Sequence, residues 1–280
     1  LPGKSRPKPS LLADVDRLPA PRWDMVDWRR YSYVFTQTAW GCPVGCGYCP
    51  YPVTQGREIR ARSNASVAAE FLALRKLGVP FVMARDPFFS IDRRRTLALC
   101  AALKAAGSPL LWGCETRLEA LDAELVDAMA AAGCIRVEFG VESVSARVLR
   151  AAGRTPLSPA RVREKTALLK SRGMLTYALY VLGLPGETEA EARATMDFAL
   201  SLGTNAAAFS CATPFQGTAL AEKAHALRLL TAADPLHLTA ALPSMSSGPM
   251  SAETVGRLRQ EAKTRWKSSQ KPASPPTAPV

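Results

Sequence analysis

Three cysteines, Cys42, Cys46 and Cys49, lie within one stretch of eight residues. Their C-x3-C-x2-C spacing places three thiols on one short loop, where Gly45 and Gly47 let the backbone wrap closely around a bulky group. Thiolates bind zinc and iron–sulfur clusters. Three of them leave a tetrahedral zinc site incomplete, but they suit a 4Fe–4S cluster with one iron open to another ligand.

Other metal-binding side chains are far from this loop in the sequence. His225 and His237 lie near the C-terminus, so a structural zinc would have to recruit one of the scattered cysteines. Those cysteines are Cys100, Cys114, Cys134 and Cys211. No second closely spaced cysteine group exists, which argues against an auxiliary cluster. Seven unevenly spaced cysteines in a chain of this length argue against a disulfide scaffold and for a reducing compartment, which predicts a cytoplasmic protein.

Short apolar runs alternate with helical stretches that end in glycine, which is typical of βα units. The runs fall at residues 31–39, 79–84, 110–114, 134–140, 174–183 and 205–211. Helix starts are marked as well, for example by the capping-box pair Thr188 and Glu191. Parallel strands covered by helices fit this pattern. We therefore predict an α/β fold, an incomplete (βα)6 TIM-like barrel with a small helical C-terminal extension; a doubly wound open sheet is the alternative.

This pattern divides the chain into four parts. Residues 1–30, which are rich in proline, are predicted to be a linker or a remnant of an upstream region. Residues 31–221 form the predicted barrel, residues 222–270 the helical extension and residues 271–280 a disordered tail. The chain begins with Leu rather than Met, so we expect a piece of a longer protein that has room for an upstream domain.

Composition narrows the class of protein. The chain has 280 residues, of which 48% are hydrophobic, and no apolar run is long enough to cross a membrane. The net charge is +12, and much of it lies at the two ends of the chain. Basic ends are either solvated or attracted to a polyanion. Because no nucleic-acid-binding motif or interleaved aromatic residue accompanies them, we expect no nucleic-acid partner and no membrane association.

The motifs that follow successive strands resemble those of the radical S-adenosylmethionine (SAM) superfamily. The cysteine loop matches C-x3-C-x-aromatic-C, with Tyr48 as the aromatic residue. The sequences G-V-E-S at 140–143, G-L-P-G-E-T at 183–188 and T-P-F-Q-G-T at 213–218 are similar to further segments of that family, in the same order. The resemblance covers roughly residues 22–221, and it implies the partial barrel of the superfamily.

The resemblance also implies a mechanism. Cys42, Cys46 and Cys49 would hold three irons of one 4Fe–4S cluster, and the fourth iron would bind the amino and carboxylate groups of SAM. An electron from a donor such as flavodoxin or ferredoxin would break the carbon–sulfur bond of SAM. The resulting 5′-deoxyadenosyl radical would abstract hydrogen from a substrate that the sequence does not identify.

Further cofactor contacts follow from the G-x-E-S segment. Gly140 opens this segment, Glu142 would bind the ribose hydroxyls, and Ser143 would support the methionyl end of SAM. Tyr48 would lie near the adenine. A helix cap at 142–143 and ordinary packing of Tyr48 are the alternatives.

Two further positions complete the predicted cofactor site. The backbone around Leu182 and Gly183 would contact the adenine. After the second strand, where the family often has a G-G-E segment that binds the methionyl amine, this chain has Arg85, Asp86 and Pro87. Asp86 is predicted to replace the missing acceptor. No residue is assigned to the substrate reaction itself.

The overall pattern most resembles the branch of the superfamily whose members often carry an upstream cobalamin-binding domain. Many such members methylate unactivated carbon, so methyl transfer is our leading hypothesis. A D-x-H-x-x-G motif for cobalamin is absent from the sequence, so a missing upstream domain would have to supply it. Other radical rearrangements and ring formations stay open. A hypothesis of another class is a non-catalytic metal-binding module that docks nucleic acid through its basic ends.

Overall fold

The computed structural model describes residues 11–107, 110–231 and 238–270, and its centre is a parallel sheet. The strands are β1 (Val34–Thr36), β2 (Ala39–Trp40), β3 (Arg60–Ala61), β4 (Phe81–Ala84), β5 (Leu111–Thr116), β6 (Cys134–Glu142), β7 (Leu175–Leu182) and β8 (Ala206–Cys211). The helices are α1 (Tyr51–Gln55), α2 (Asn64–Lys76), α3 (Arg93–Ala105), α4 (Ala123–Ala131), α5 (Ala146–Ala151), α6 (Pro159–Ser171), α7 (Glu189–Leu202), α8 (Ala219–Ala226) and α9 (Ala252–Ser269).

Six of these strands form the sheet, in the order β1-β4-β5-β6-β7-β8, and every neighbouring pair is parallel. Because the order follows the chain without reversal, right-handed crossovers place the connecting helices on one face and leave the other face open. A doubly wound sheet reverses its strand order and is thereby excluded. The sheet curls into a half-barrel, so the predicted incomplete barrel is confirmed.

Apolar side chains hold the helices against the outer face of the sheet. Trp112 on β5 is fully buried, and its ring meets Phe71 of α2 edge to face with 6.5 Å between centroids. Leu125 and Met129 of α4 are both 0% exposed, as their helical spacing predicts. The predicted capping box at the start of α7 is present as well. Burial of apolar side chains such as these is a large favourable contribution to folding.

The first predicted strand, residues 31–39, is shorter in the structure and divides in two. Only β1 joins the sheet, whereas β2 pairs antiparallel with β3 outside it. The reason lies at Thr38, whose N–H donates to Asp86 Oδ1 at 2.6 Å. That N–H is therefore not available to the sheet, and the chain turns away into a hairpin whose strands flank the cysteine loop.

Both ends of the described chain pack on the barrel. In the predicted linker, Val15 and Trp23 are buried and three short 3-10 helices form. Helix α9 lies within the predicted helical extension, and it buries Val255 and Leu258 in the barrel's own hydrophobic core. The predicted tail, residues 271–280, lies outside the described residues. Among the helices of the described ranges, none combines the length and apolarity that crossing a bilayer requires.

Candidate active site

The cysteine loop lies at the carboxyl end of the sheet, between β2 and α1. It is closed at its base by the Cys42 N–H, which donates to Gly56 O at 3.1 Å. Gly41 enters the loop with φ of +87°, and a Cβ there would lie 1.9 Å from Glu58 O, so only glycine fits. Gly47 donates its N–H to Ala152 O at 2.9 Å, which ties the loop to the segment after α5. Backbone bonds therefore fix the loop that carries the three thiols.

The three thiols share one cavity and differ in burial. Cys42 is buried, whereas Cys46 and Cys49 are half-buried, and all three line the same cavity. Burial raises the pKa of the Cys49 thiol to about 11. A thiol of this kind releases its proton on binding a metal. Arg117 Nη1 lies 3.3 Å from Cys46 Sγ, which places a cation where anionic thiolates would gather.

This donor set fits an iron–sulfur cluster. Within the described ranges, no three His, Cys or carboxylate side chains converge on one point as a single metal ion requires. A cubane cluster has another requirement, because each thiolate binds a different iron. Three free thiols on a fixed loop, a lining cation and a shared cavity meet that requirement.

Glu142 reaches the same cavity from the end of β6. A register shift between Gly140 and Glu142 lets Glu142 adopt φ of 64°, and its carboxylate folds back over Gly140, where a Cβ would lie 2.1 Å from Oε1. Arg154 holds this arrangement, with Nη1 3.6 Å from Glu142 Oε1 and Nη2 donating to Gly140 O at 2.5 Å. Burial raises the pKa of Glu142, and Arg154 opposes that rise.

Tyr48 also lines the cysteine cavity, as the prediction of a cofactor contact requires. Its hydroxyl lies 3.5 Å from Arg154 Nη1, and burial raises the pKa of this phenol. The ring further lines a neighbouring cavity of about 280 Å³ with Leu184 and Pro185. Leu184 and Pro185, which follow Gly183, therefore lie close to Tyr48, whereas Leu182 and Gly183 do not line this cavity. Leu182 itself is buried, with its side chain in the main core.

The turn after β7 depends on a buried carboxylate. Gly183 donates its N–H to Glu187 Oε2 at 2.6 Å, and Ser143 Oγ lies 3.5 Å from Glu187 Oε1. Ser143 also contacts Thr195 Oγ1 at 3.2 Å and is 1% exposed. It does not line the cysteine cavity. The geometry therefore favours a supporting role for Ser143 behind the turn rather than the predicted contact with the methionyl end.

The Asp86 carboxylate forms its hydrogen bonds with another residue of the protein. This carboxylate is fully buried, and it accepts hydrogen bonds from both the N–H and the hydroxyl of Thr38. Burial raises its pKa, and the bonds from Thr38 counter that rise. It does not line the cysteine cavity. The geometry thus favours a role in shaping the chain before the cysteine loop over the predicted contact with the methionyl amine.

A second carboxylate, Glu115, faces the cavity from β5. It pairs in register with Glu138 of β6, and Arg85 Nη1 lies 3.4 Å from one oxygen of each. The Glu115 oxygen in this contact is Oε2, which is enclosed and accepts no hydrogen bond within the described residues. Burial raises the pKa of Glu115, which Arg85 counters. Of these two carboxylates, only Glu115 lines the cavity that contains the cysteines.

Sequence reasoning missed Arg117, Arg154, Glu115 and Glu187. Arg154 follows a helix end and Arg117 a strand end, positions at which arginine is usually solvated. The one available signal was for Glu187, which belongs to the G-L-P-G-E-T segment. The contacts of Arg117, Arg154 and Glu115 form between separate βα units. Local sequence patterns do not predict such contacts.

We predict a pH-dependent stability that arises from Glu187. Burial raises the pKa of its carboxyl from 4.5 to about 7. Between these values the folded protein binds more protons than the unfolded chain, so this group destabilises the fold as pH rises. Relative to Glu187→Gln, the parent should lose up to ~3 kcal/mol of unfolding free energy across that window. Urea unfolding of both proteins at a series of pH values measures this difference.

Glu191 is the matched control. Partial burial raises the pKa of Glu191, but hydrogen bonds from Arg147, Thr188 and Ser145 outweigh this and lower it to about 2. Its stabilising contribution is complete above 4.5 and is lost as pH falls towards 2. Glu191→Gln should therefore shift stability by a constant amount over the window used for Glu187. Parallel curves for the parent and Glu187→Gln would contradict the prediction.

Comparison with known proteins defines the class of this site. The sequence profile of the radical SAM superfamily matches residues 38–199, more than half of the chain. The chain belongs to the radical SAM superfamily. The resemblance of its motifs is thereby confirmed, and so is its assignment as an enzyme of a family that uses a 4Fe–4S cluster and SAM.

Two relatives whose names describe them as methyltransferases are similar to most of this chain. The uncharacterized methyltransferase PH0819 of Pyrococcus horikoshii is 28% identical over 93% of this chain and 58% of its own length. Cytidylyl-2-hydroxyethylphosphonate methyltransferase of Streptomyces wedmorensis is 29% identical over 78% of this chain and 45% of its own length. The chain thus spans about half the length of these relatives.

Among solved structures, the radical SAM methyltransferase TsrM from Kitasatospora setae, with cobalamin and a 4Fe–4S cluster bound, is similar in fold. The TM-score is 0.65 at 24% identity, over 71% of this chain and 38% of that one. Methylornithine synthase has a TM-score of 0.53 at 16% identity, over 67% of this chain and 55% of that one.

Proposed function

We propose that this chain is the catalytic part of a radical SAM methyltransferase. The observation that carries the proposal is that the three cysteines and Glu142 line one cavity at the carboxyl mouth of the half-barrel. Sites of parallel barrels lie at this end. Methyl transfer is supported by the methyltransferase names of relatives that match over most of this chain.

Within this proposal, each residue has a definite task. Cys42, Cys46 and Cys49 would hold a 4Fe–4S cluster. When bound, that cluster would pass one electron from a donor to SAM and so supply reductive cleavage of its carbon–sulfur bond. Glu142 would accept hydrogen bonds from the ribose hydroxyls, and Arg154 holds its carboxylate in place and opposes the rise in its pKa that burial causes.

Glu115 takes the part first predicted for Asp86. A methionyl ammonium needs an acceptor near the cluster, and the Asp86 carboxylate is already satisfied by Thr38. Glu115 lines the cysteine cavity, and its only ion contact among the residues that the structure describes is the one at 3.4 Å between Oε2 and Arg85 Nη1. Because that contact is long, the carboxylate can accept a charge-assisted hydrogen bond from a bound ammonium.

The proposal also covers cobalamin, the electron donor and the location of the protein in the cell. TsrM carries cobalamin and this chain covers 38% of it, so we assign cobalamin to a separate domain. A one-electron donor such as flavodoxin or ferredoxin would reduce the cluster. Seven free cysteines fit a reducing cytoplasm.

The alternative of a nucleic-acid-docking module is not favoured. It needs free cations at the basic ends. In helix α9, however, Arg259 donates to Phe209 O at 2.7 Å, and Arg265 pairs with Asp197 at 2.6 Å. These basic side chains hold the helix on the barrel and are not free to contact phosphates.

SAM cleavage tests the proposal. Anaerobically reconstituted protein with dithionite and SAM should release 5′-deoxyadenosine slowly even without substrate, because the cluster and SAM suffice for cleavage. Chromatography measures the product, and absorbance of the same sample measures the cluster. A longer chain that includes the upstream region should be tested in parallel. An intact cluster with no cleavage in either protein would overturn the proposal.

A further inference from the structure

A large cavity of about 620 Å³ lies along β1, at the open edge of the half-barrel. Its lining includes Leu18 of the N-terminal segment together with Tyr33, Phe35, Trp40, Arg62 and Arg85. One wall is therefore the sheet edge, and another is the N-terminal segment that crosses it. The volume lies in the range of small-molecule sites.

The walls are mostly apolar and aromatic. Phe35 alternates along β1 with buried Val34 and Thr36, and it pairs in register with Met83, so it projects from the inner face of the sheet. It is 51% exposed although its neighbours on the strand are buried. Tyr33 and Trp40 lie on either side of it along the chain. Aromatic side chains in this arrangement offer flat surfaces on which a ring can stack.

The charge of the lining is entirely positive. It includes two arginines and no acidic residue. Arg62 is buried and committed to Glu70 and Ser66. The Arg85 side chain is 37% exposed, and both of its ion contacts are as long as 3.4 Å. Its guanidinium therefore keeps donors that a ligand can use.

Arg85 also connects this cavity to the cysteine cavity. It lines the first, whereas Glu115, which it contacts at 3.4 Å, lines the second. Tyr51 follows the cysteine loop directly and also lines the second cavity. A molecule held along β1 by Arg85 would therefore be separated from the cysteine cavity by the Arg85–Glu115 ion pair.

We propose that the cavity along β1 binds the substrate, and that the substrate is a ring-bearing, largely apolar molecule with one anionic group, a carboxylate or a phosphate, held by Arg85. This inference rests on the proposed function, which makes the neighbouring cavity the reaction site. The ring stacks on Phe35 and Trp40, and the anion replaces the long contacts of Arg85 with a charge-assisted hydrogen bond.

Binding of simple probes tests the chemistry. The probes are 2-naphthoate, 2-naphthyl phosphate, neutral 2-naphthylmethanol and cationic 2-naphthylmethylamine, each titrated into the reconstituted protein and followed by calorimetry. At least one anion should bind about tenfold more tightly than the alcohol, and the amine should bind most weakly. The ratio between the two anions decides between a carboxylate and a phosphate.

Substitutions of residues that line the cavity test whether the probes bind there. Arg85→Gln should weaken the preferred anion about tenfold and leave the alcohol unchanged, whereas Arg85→Lys should retain part of the preference. Phe35→Ala should weaken anion and alcohol alike. The matched control is Arg193→Gln, because Arg193 is also 37% exposed and also contacts two carboxylates, Glu189 and Glu261, on the far side of the molecule. This control should change nothing. Thermal unfolding checks that each variant folds.

The outcomes separate the two proposals. Equal affinity for all four probes, or anion binding that is insensitive to Arg85 and Phe35, overturns the substrate cavity. If iron and SAM binding persist in those samples, the proposed function stands. If the protein binds neither iron nor SAM, the proposed function fails instead, whatever the probes show.

Discussion

Replacing Cys42, Cys46 and Cys49 together by Ala is expected to remove almost all iron from anaerobically reconstituted protein, whereas the parent should bind about four irons per chain. The cause is direct, because these are the three thiols that line the cavity at the barrel mouth. Their backbone positions are fixed by loop hydrogen bonds. Colorimetric iron and the visible absorbance of the cluster measure the loss.

The matched control is the double variant Cys100→Ala and Cys134→Ala. Both cysteines are buried away from the loop, and burial raises the pKa of Cys100 to about 12, so it has the character of a small apolar residue. Iron content should not change. A stoichiometric share of iron lost from this control would reveal a second site, and a full cluster in the triple variant would overturn the cysteine assignment.

Local sequence patterns were sufficient where a feature depends on neighbouring residues. The cysteine loop, the capping box at Thr188 and the succession of βα units are all of this kind, because spacing and periodicity determine them. Strand order then follows from short right-handed crossovers, which leave few topologies open. The half-barrel and the position of its mouth could therefore be predicted.

Contacts between distant segments could not be predicted in the same way. Asp86 follows a strand end, as a cofactor ligand would, yet Thr38, far earlier in the chain, occupies its carboxylate. Arg154 has no motif, yet it holds Glu142 and approaches Tyr48. Such pairings depend on the relative positions of packed elements, and residue type alone does not determine those positions.

The second large expected effect concerns Glu115, which takes the place of Asp86 in the proposed function. Glu115→Gln should weaken SAM binding to the reconstituted protein by about 10- to 100-fold, the usual cost of losing a hydrogen bond to a charged group. The change keeps the size and shape of the side chain while removing its negative charge. Equilibrium dialysis with labelled SAM measures the affinity, and the iron content of the same sample should not change.

A cofactor fragment makes the test specific. 5′-Methylthioadenosine has the nucleoside and sulfur of SAM but lacks the amino-acid part, so it presents no ammonium group. Its affinity should be equal for the parent and for Glu115→Gln. If both ligands weaken together, the substitution has disturbed the cavity as a whole, and the assignment of the ammonium group to Glu115 fails.

The neighbouring carboxylate provides the control within the chain. Glu138 lies at the same 3.4 Å from Arg85 Nη1 as Glu115 does, but only Glu115 lines the cysteine cavity. Glu138→Gln removes the same charge from the same arginine, so any effect that acts through Arg85 appears in both variants. A loss of SAM affinity confined to Glu115→Gln therefore identifies the carboxylate that contacts the cofactor. Equal losses in the two variants would show that Arg85, and not Glu115, determines the affinity.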